Sequence, residues 1–499
     1  MRKKNFVWNT FSSLGAKIVS ILCAFILPRL ILKTYGTDTN GLISSISQFL
    51  TVIALSEFGI TAVVQSALYK PLAMNDVDEI SRIMVSSSKF FRKIALLLIV
   101  YTFMLCLLYP IFINHSFGFW YTSILILAMS INSLMQYLFG ITNSQLIFAN
   151  QHGYIINITG IIVNILNTIM CCILIYIGAS IQFVKITTAL IYIIQPLTYA
   201  IYVKKHYSIN YKIKYDTEPI TQKWNGVAQH IAYYVLNSTD IMVLTFFSTL
   251  ENVSIYYVYH LVLSGINQLF SIFENAVKPL LGEFWARGES KQLKKYFSIY
   301  EWMIHYLTCI IFGCTLILIV PFVKVYTLGV NDANYIVPTF AIIITLAYAV
   351  QSIRNPYNTI IMSAGHYKQT QSNYIITAIL NIVISIISVL HFGLVGVAIG
   401  TLIALLFQIC WQAWYIYANI LKEKIWYFVK HMLIDMLTLT IIFIISSNIS
   451  LNDINYISWL FMAFKVFIIS IILITIINII VYRSKMIESI KLVMKNKVS

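Results

Sequence analysis

The segment 152–178, HGYIINITGIIVNILNTIMCCILIYIG, has a counterpart in 366–393, HYKQTQSNYIITAILNIVISIISVLHFG. Each opens at a histidine (His152, His366), carries an asparagine at the same depth (Asn167, Asn381), and closes on a turn glycine (Gly178, Gly393). The same displacement recurs elsewhere. Trp8-Asn9 before the first long apolar run answers Trp224-Asn225 before the seventh, and Glu57 answers Glu274. The offset stays at about 215 residues, the signature of an internal repeat. Each copy holds an even number of runs, so the two copies share one orientation across a membrane. A parallel repeat of this kind predicts two bundles rocking about a shared site near the bilayer midplane.

The chain is 59% hydrophobic and 10% charged with a mean hydropathy of +0.81, outside the range of water-soluble domains. About 14 apolar runs are long enough to cross roughly 30 Å of hydrocarbon. The expected spans are 11–33, 40–66, 91–113, 119–144, 154–177, 180–203, 226–248, 254–279, 299–323, 335–360, 372–391, 393–417, 427–447 and 457–481. The runs are continuous rather than alternating, which excludes barrel strands. The expected architecture is an all-α polytopic membrane protein. A six-helix bundle spans 1–210, a second related to it by a pseudo-twofold spans 211–421, and two further helices with a basic tail occupy 422–499.

The net charge of +16 sits in alternate loops, including Arg2-Lys3-Lys4, Lys89 to Lys93, Lys204 to Lys223, Arg287 to Lys295 and the tail from Arg483. That bias places both termini in the cytoplasm and makes nucleic acid an unneeded partner. The start carries a basic flank without a small-residue cleavage site and reads as an uncleaved first helix. The seven cysteines lie within apolar runs and show no metal-ligand spacing. No Walker, GxGxxG or HExxH motif and no large outer loop is present, so the chain reads as a non-enzyme with no cofactor or metal. After the second span of each copy, 75–80 and 288–293 read as capped short helices lying on the membrane surface.

Polar residues within the spans are costly in lipid and therefore informative. Asn9, Ser13, Lys17 and Ser20 form a stripe on the first helix, and Gln229, Tyr233, Asn237 and Asp240 form one on the seventh. Ser44, Gln48 and Thr51 on the second helix are answered by Ser264, Gln268 and Ser271 on the eighth. These stripes fit either a wet central cavity or interhelical hydrogen bonds. Lys17, Arg29 after Pro28, and Arg354 before Asn355-Pro356 are the candidate contacts for an anion. Gln48, Tyr233, Asn237 and Gln268 complete the candidate substrate site. Asp240 is the candidate for ion coupling, and Glu57 and Glu274 are candidates for coupling or for a gate. Asn157, Asn164 and Asn167 fit sugar binding or helix glue equally, and Tyr233, Tyr256 and Tyr257 are candidate rings for stacking on sugars.

Pro28-Arg29, Tyr35-Gly36-Thr37-Asp38-Thr39-Asn40-Gly41-Leu42, Ser47-Gln48-Phe49-Leu50, Leu55-Ser56-Glu57-Phe58-Gly59-Ile60, Leu68-Tyr69-Lys70-Pro71-Leu72 and Ala149-Asn150-Gln151-His152-Gly153-Tyr154 resemble the bacterial polysaccharide-transport flippases. That family belongs to the multidrug/oligosaccharidyl-lipid/polysaccharide exporter superfamily. The resemblance implies alternating access in the plasma (inner) membrane, with an undecaprenyl-diphosphate-linked oligosaccharide as cargo for O-antigen or capsule. Membrane lipid, a polysaccharide polymerase and a coupling ion, H+ or Na+, are the partners it implies. A lipid II flippase or a multidrug/cation antiporter of the same superfamily is the alternative.

Overall fold

The computed structural model describes residues 2–57, 59–112, 117–215, 217–220 and 227–488. Among them every regular element is helical. In chain order the first unit holds α1 (Arg2–Tyr35), α2 (Thr37–Thr51), α3 (Ile60–Met74), α4 (Val77–Phe112), α5 (Phe119–Met135), α6 (Ile141–Ala149), α7 (Gly153–Tyr176), α8 (Ile181–Tyr192) and α9 (Ile194–His206). Then follow α10 (Val227–Phe247), α11 (Leu250–Ala286), α12 (Ser290–Tyr326), α13 (Pro338–Ser363), α14 (Tyr367–Phe392), α15 (Leu394–Ile416), α16 (Trp426–Ser446) and α17 (Tyr456–Val481). The chain divides into two compact units, Met1–Tyr234 and Val235–Ser499.

Eleven helical segments among the described residues are long and apolar enough to cross a membrane, which makes this a multi-pass membrane protein. The expected runs at 226–248, 254–279 and 335–360 are not among the eleven. Polar residues thin the hydropathy of the last two: Asn267, Gln268 and Glu274 on α11, and Gln351, Arg354 and Asn355 on α13. Outward faces are apolar; on α17, Phe461 and Phe464 are exposed, and Ile480 is 75% exposed. Such surface suits lipid contact and would be untenable in water.

The two short surface helices expected at 75–80 and 288–293 do not exist as separate elements. Val77 opens the 36-residue α4 and Ser290 opens the 37-residue α12. At about 1.5 Å per residue each far exceeds the hydrocarbon thickness, so the polar first turns continue the span instead of lying flat. Asp76 Oδ1 accepts from the Glu79 amide (3.0 Å) and caps α4. The linker after α9 packs along the same helix: the Asn210 amide donates to Ser81 Oγ (3.0 Å), Ser86 donates to Glu218, and the Lys89 ammonium lies 4.8 Å from the Tyr215 ring centroid.

The repeat seen in the sequence has a local counterpart inside each unit. His152 Nδ1 bonds the Tyr202 hydroxyl (3.2 Å), and His366 Nδ1 bonds the Tyr415 hydroxyl (2.9 Å). Burial holds both imidazoles below the ordinary histidine value, with His206 adding to the effect at His152. Gly178 and Gly393 both take positive φ (78° and 54°) in the turns that follow, where a side chain would be strained. Trp224 and Asn225 lie outside the described residues.

α14 and α15 approach closely. A Cβ on Gly396 would stand 2.1 Å from the Ser388 carbonyl oxygen, and one on Gly400 would stand 2.7 Å from the Ser385 amide nitrogen. Close backbone approach at small residues is a standard way to pack helices in lipid. Gly396→Ala is therefore expected to destabilise the protein by about 1–3 kcal/mol, seen as a lowered thermal midpoint in detergent; a midpoint equal to the parent's would contradict this seam.

Candidate functional site

In the second unit, Asp240 on α10 is 3% exposed. Thr401 Oγ1, on α15, donates to its carboxylate at 2.7 and 2.8 Å, and the Tyr256 hydroxyl on α11 donates to Oδ2 at 2.7 Å. Asn381 Nδ2, on α14, donates to Thr401 Oγ1 at 3.0 Å. Four helices thus converge on one carboxylate. Asn381 Oδ1 is buried here without a hydrogen-bond partner, as is Ser385 Oγ one turn further along α14. A carboxylate beside such oxygens is chemistry suited to a hard monovalent cation or a proton. Tyr256 is 4% exposed and its hydroxyl is committed to Asp240, so it is not presented for stacking on a sugar. Its ring stacks on His260 (5.9 Å), whose Nδ1 bonds the Tyr348 hydroxyl (2.6 Å). The side chains of Tyr233 and Asn237 lie outside the described ones.

Between α11 and α13 the inward amide is Asn267. It donates from Nδ2 to Gln351 Oε1 (3.0 Å) and accepts from Ser352 Oγ at Oδ1 (3.0 Å). Gln268, the sequence candidate one residue on, is exposed, because one residue turns a helical side chain by about 100°. Arg354 is half-buried and its Nε lacks a hydrogen-bond partner. Arg354 and Glu274 both act electrostatically on the Tyr374 phenol of α14. Glu274 makes no ion pair among the described residues.

In the first unit, Glu57 ends a 3₁₀ turn over Val52–Glu57. Its carboxylate accepts from the Tyr137 hydroxyl (2.7 Å) and from Thr61 (3.3 Å). Tyr137 sits in a π turn, Gln136–Gly140, a local distortion that often marks a working position. Beside it a cavity of about 260 Å³ is lined by Ser47, Thr51, Asn132, Ser133 and Tyr137 among others. Gln48 is half-buried on α2. On α1, Asn9 of the stripe binds the Gln151 carbonyl (2.9 Å) and the Tyr154 amide (2.7 Å), and Ser12, beside the stripe, accepts from Asn157 (3.0 Å), so these groups stitch α1 to α7. Asn164 accepts from Tyr192 (2.7 Å), again helix to helix. Lys17 and Arg29 are half-buried on α1. Lys185, five residues into α8, is a further half-buried cation within a span; it lies inside an apolar run and so escapes a count of loop charges.

No family model and no curated protein matches the sequence. Solved structures do. "Lipid II flippase MurJ, inward closed conformation" superposes with a TM-score of 0.72 at 17% identity, covering 96% of this chain and 99% of that one. The chain has the MurJ fold. An inward-facing multidrug resistance MATE family transporter of the MOP superfamily matches at 0.62 and 12% identity, over 80% of this chain and 95% of that one. The MATE multidrug transporter DinF-BH matches at 0.62 and 15% identity, over 84% of this chain and 97% of that one.

Asn267→Ala is expected to cost about 1 kcal/mol of stability, the usual worth of an interhelical bond in a membrane, while Gln268→Ala costs nothing measurable. Equal midpoints for the two variants in a detergent melt would refute this assignment of the inward face.

Proposed function

We propose that this chain flips a lipid-linked oligosaccharide bearing a diphosphate across the bacterial plasma membrane, for a surface polymer such as O-antigen or capsule. Two six-helix halves, 1–210 and 211–421, work by alternating access, and both termini are cytoplasmic. The observation that carries this reading is the extent of the fold likeness. MurJ covers 96% of the chain, while the MATE transporters cover 80% and 84%. The share they leave is close in size to 422–499, the added helix pair. That favours kinship of architecture with a flippase over kinship with a drug antiporter.

Electrostatics supports the same direction. Lys17, Arg29, Lys185 and Arg354 put cations within the helices. Cations recognise a diphosphate and repel the cationic drugs an antiporter would carry. Gln48, Tyr233, Asn237 and Gln268 are the proposed glycan contacts, and Glu57 and Glu274 the proposed gate groups. The Asp240 cluster is the proposed coupling site, with Asn381 Oδ1 and Ser385 Oγ as further oxygen ligands for Na+. Lipid II, named for MurJ, is the second reading, favoured by the same coverage. Vesicles holding either lipid II or an undecaprenyl-diphosphate oligosaccharide separate the two by which one becomes accessible on the far leaflet.

Replacing Arg29 and Arg354 together by Ala is expected to abolish surface polymer while the protein still reaches the membrane in normal amount. Normal polymer in that double variant refutes the anion-contact assignment. Na+ at about 100 times its dissociation constant is expected to stabilise the parent by roughly 2.7 kcal/mol, and Asp240→Asn to lose that gain. An equal Na+ effect on both proteins rejects Asp240 as the cation site.

A further inference from the structure

Glu301 and His305 stand one turn apart on α12, and His431 and Asp435 one turn apart on α16. The four are crossed between the helices. His305 Nδ1 bonds Asp435 Oδ2, and His431 Nε2 lies 3.9 Å from Glu301 Oε2. All are deeply buried: Glu301 at 1%, both histidines at 2% and Asp435 at 6% exposure. The two imidazoles stack with centroids 4.7 Å apart and planes at 28°.

The surrounding bonds locate the protons. The Tyr357 hydroxyl, on α13, donates to Glu301 Oε1 (2.6 Å). Its hydrogen is thereby spent, so toward His305 Nε2 (3.4 Å) it accepts. His305 therefore faces acceptors at both nitrogens, which is the arrangement of an imidazolium. His431 differs: its Nδ1 is buried without a partner. Tyr417, in the π turn after α15, also donates to Glu301 Oε1 (2.8 Å), and Cys309 donates to Asp435 Oδ1 (3.3 Å). From the segment after α17, the Tyr482 ring stacks on His431 at 4.7 Å, and the Lys430 ammonium lies 5.2 Å from that ring's centroid. Lys485 acts on Glu301 from the same segment. At the rim Lys294 pairs with Glu423 (3.5 Å) and Lys295 with Glu488 (2.9 Å).

We propose that this crossed cluster is a proton-binding site, holding one exchangeable proton between His305 and His431, that clasps α16 to α12. A proton on His305 is answered by Asp435, and a proton on His431 by Glu301. Two protons would put like charges in stacked rings, which a buried site resists. No proton would leave the two buried carboxylates, Glu301 and Asp435, with neutral imidazoles as partners, a costly state in the interior. Either departure from one proton loosens the clasp, so docking of the α16–α17 pair on the second unit follows pH. The acceptors at both nitrogens of His305 make the proton the ligand that fits this cluster. The inference is independent of the cargo and of the Asp240 site.

The test uses the full chain in lipid nanodiscs without Na+ or substrate, with ¹⁵N-labelled histidine. The stacked pair is recognised in the parent protein by its ring-to-ring contact. Between about pH 5 and about pH 8 the pair is expected to carry a summed charge of about one, with a second proton taken up only at lower pH. Both rings neutral, or both charged, across that range overturns the proposal. The thermal midpoint is expected to fall by about 4 °C or more as pH rises past the loss of the single proton, and Asp435→Asn and His305→Gln to remove that fall. Retention of the same fall in folded variants also overturns it. Where a variant does not fold, the parent spectrum alone decides.

Discussion

Inside about 30 Å of hydrocarbon a polar group finds no water, so it must be answered by another part of the protein. That constraint organises both units. Apolar packing alone does not tell one lipid-facing helix from another, because lipid tails are as apolar as leucine. The helices are distinguished by their polar joints instead. Asn9 and Asn157 hold α1 to α7, Asn267 holds α11 to α13, and His305 with Asp435 holds α12 to α16. Asp240 gathers bonds from α11 and α15, with α14 one bond behind.

These joints also explain what could be read from the chain alone. Length of apolar run and periodic repeat are one-dimensional properties, and they delivered the helical class, the matched histidines and the turn glycines. Asp240 stood out because a carboxylate in a long apolar run has no other obvious reason to be there. The facing side chain was harder. Gln268 and Asn267 differ by one position, and only the neighbours Gln351 and Ser352 show which of them turns inward. The crossed cluster was harder still. Its halves lie more than a hundred residues apart, and each looks ordinary alone. The signal was present as Glu301-x-x-x-His305 and His431-x-x-x-Asp435, two acid–imidazole pairs at one-turn spacing, but only the packing shows that they belong together.

Equivalent places in the two copies have diverged in their surroundings. Glu57 closes a 3₁₀ turn and is held by Tyr137 from a π turn. Glu274 lies within an unbroken α11. In the second unit it is Glu301, outside the repeat pattern noticed in the sequence, that receives a tyrosine from a π turn. Each unit thus keeps one glutamate bound by a phenol on a wound-open helix, at different positions in the chain.

The glycine seam has a mechanical corollary. With Gly396 and Gly400 pressed against the backbone of α14, the α14–α15 hairpin has no room to slide or swivel. Thr401 and Asn381 ride on that rigid plate, whereas Asp240 reaches it from α10. If occupancy of the carboxylate changes, the plate is the anvil and α10 is the hammer: displacement falls to the helix that bears the carboxylate rather than to the clamped pair.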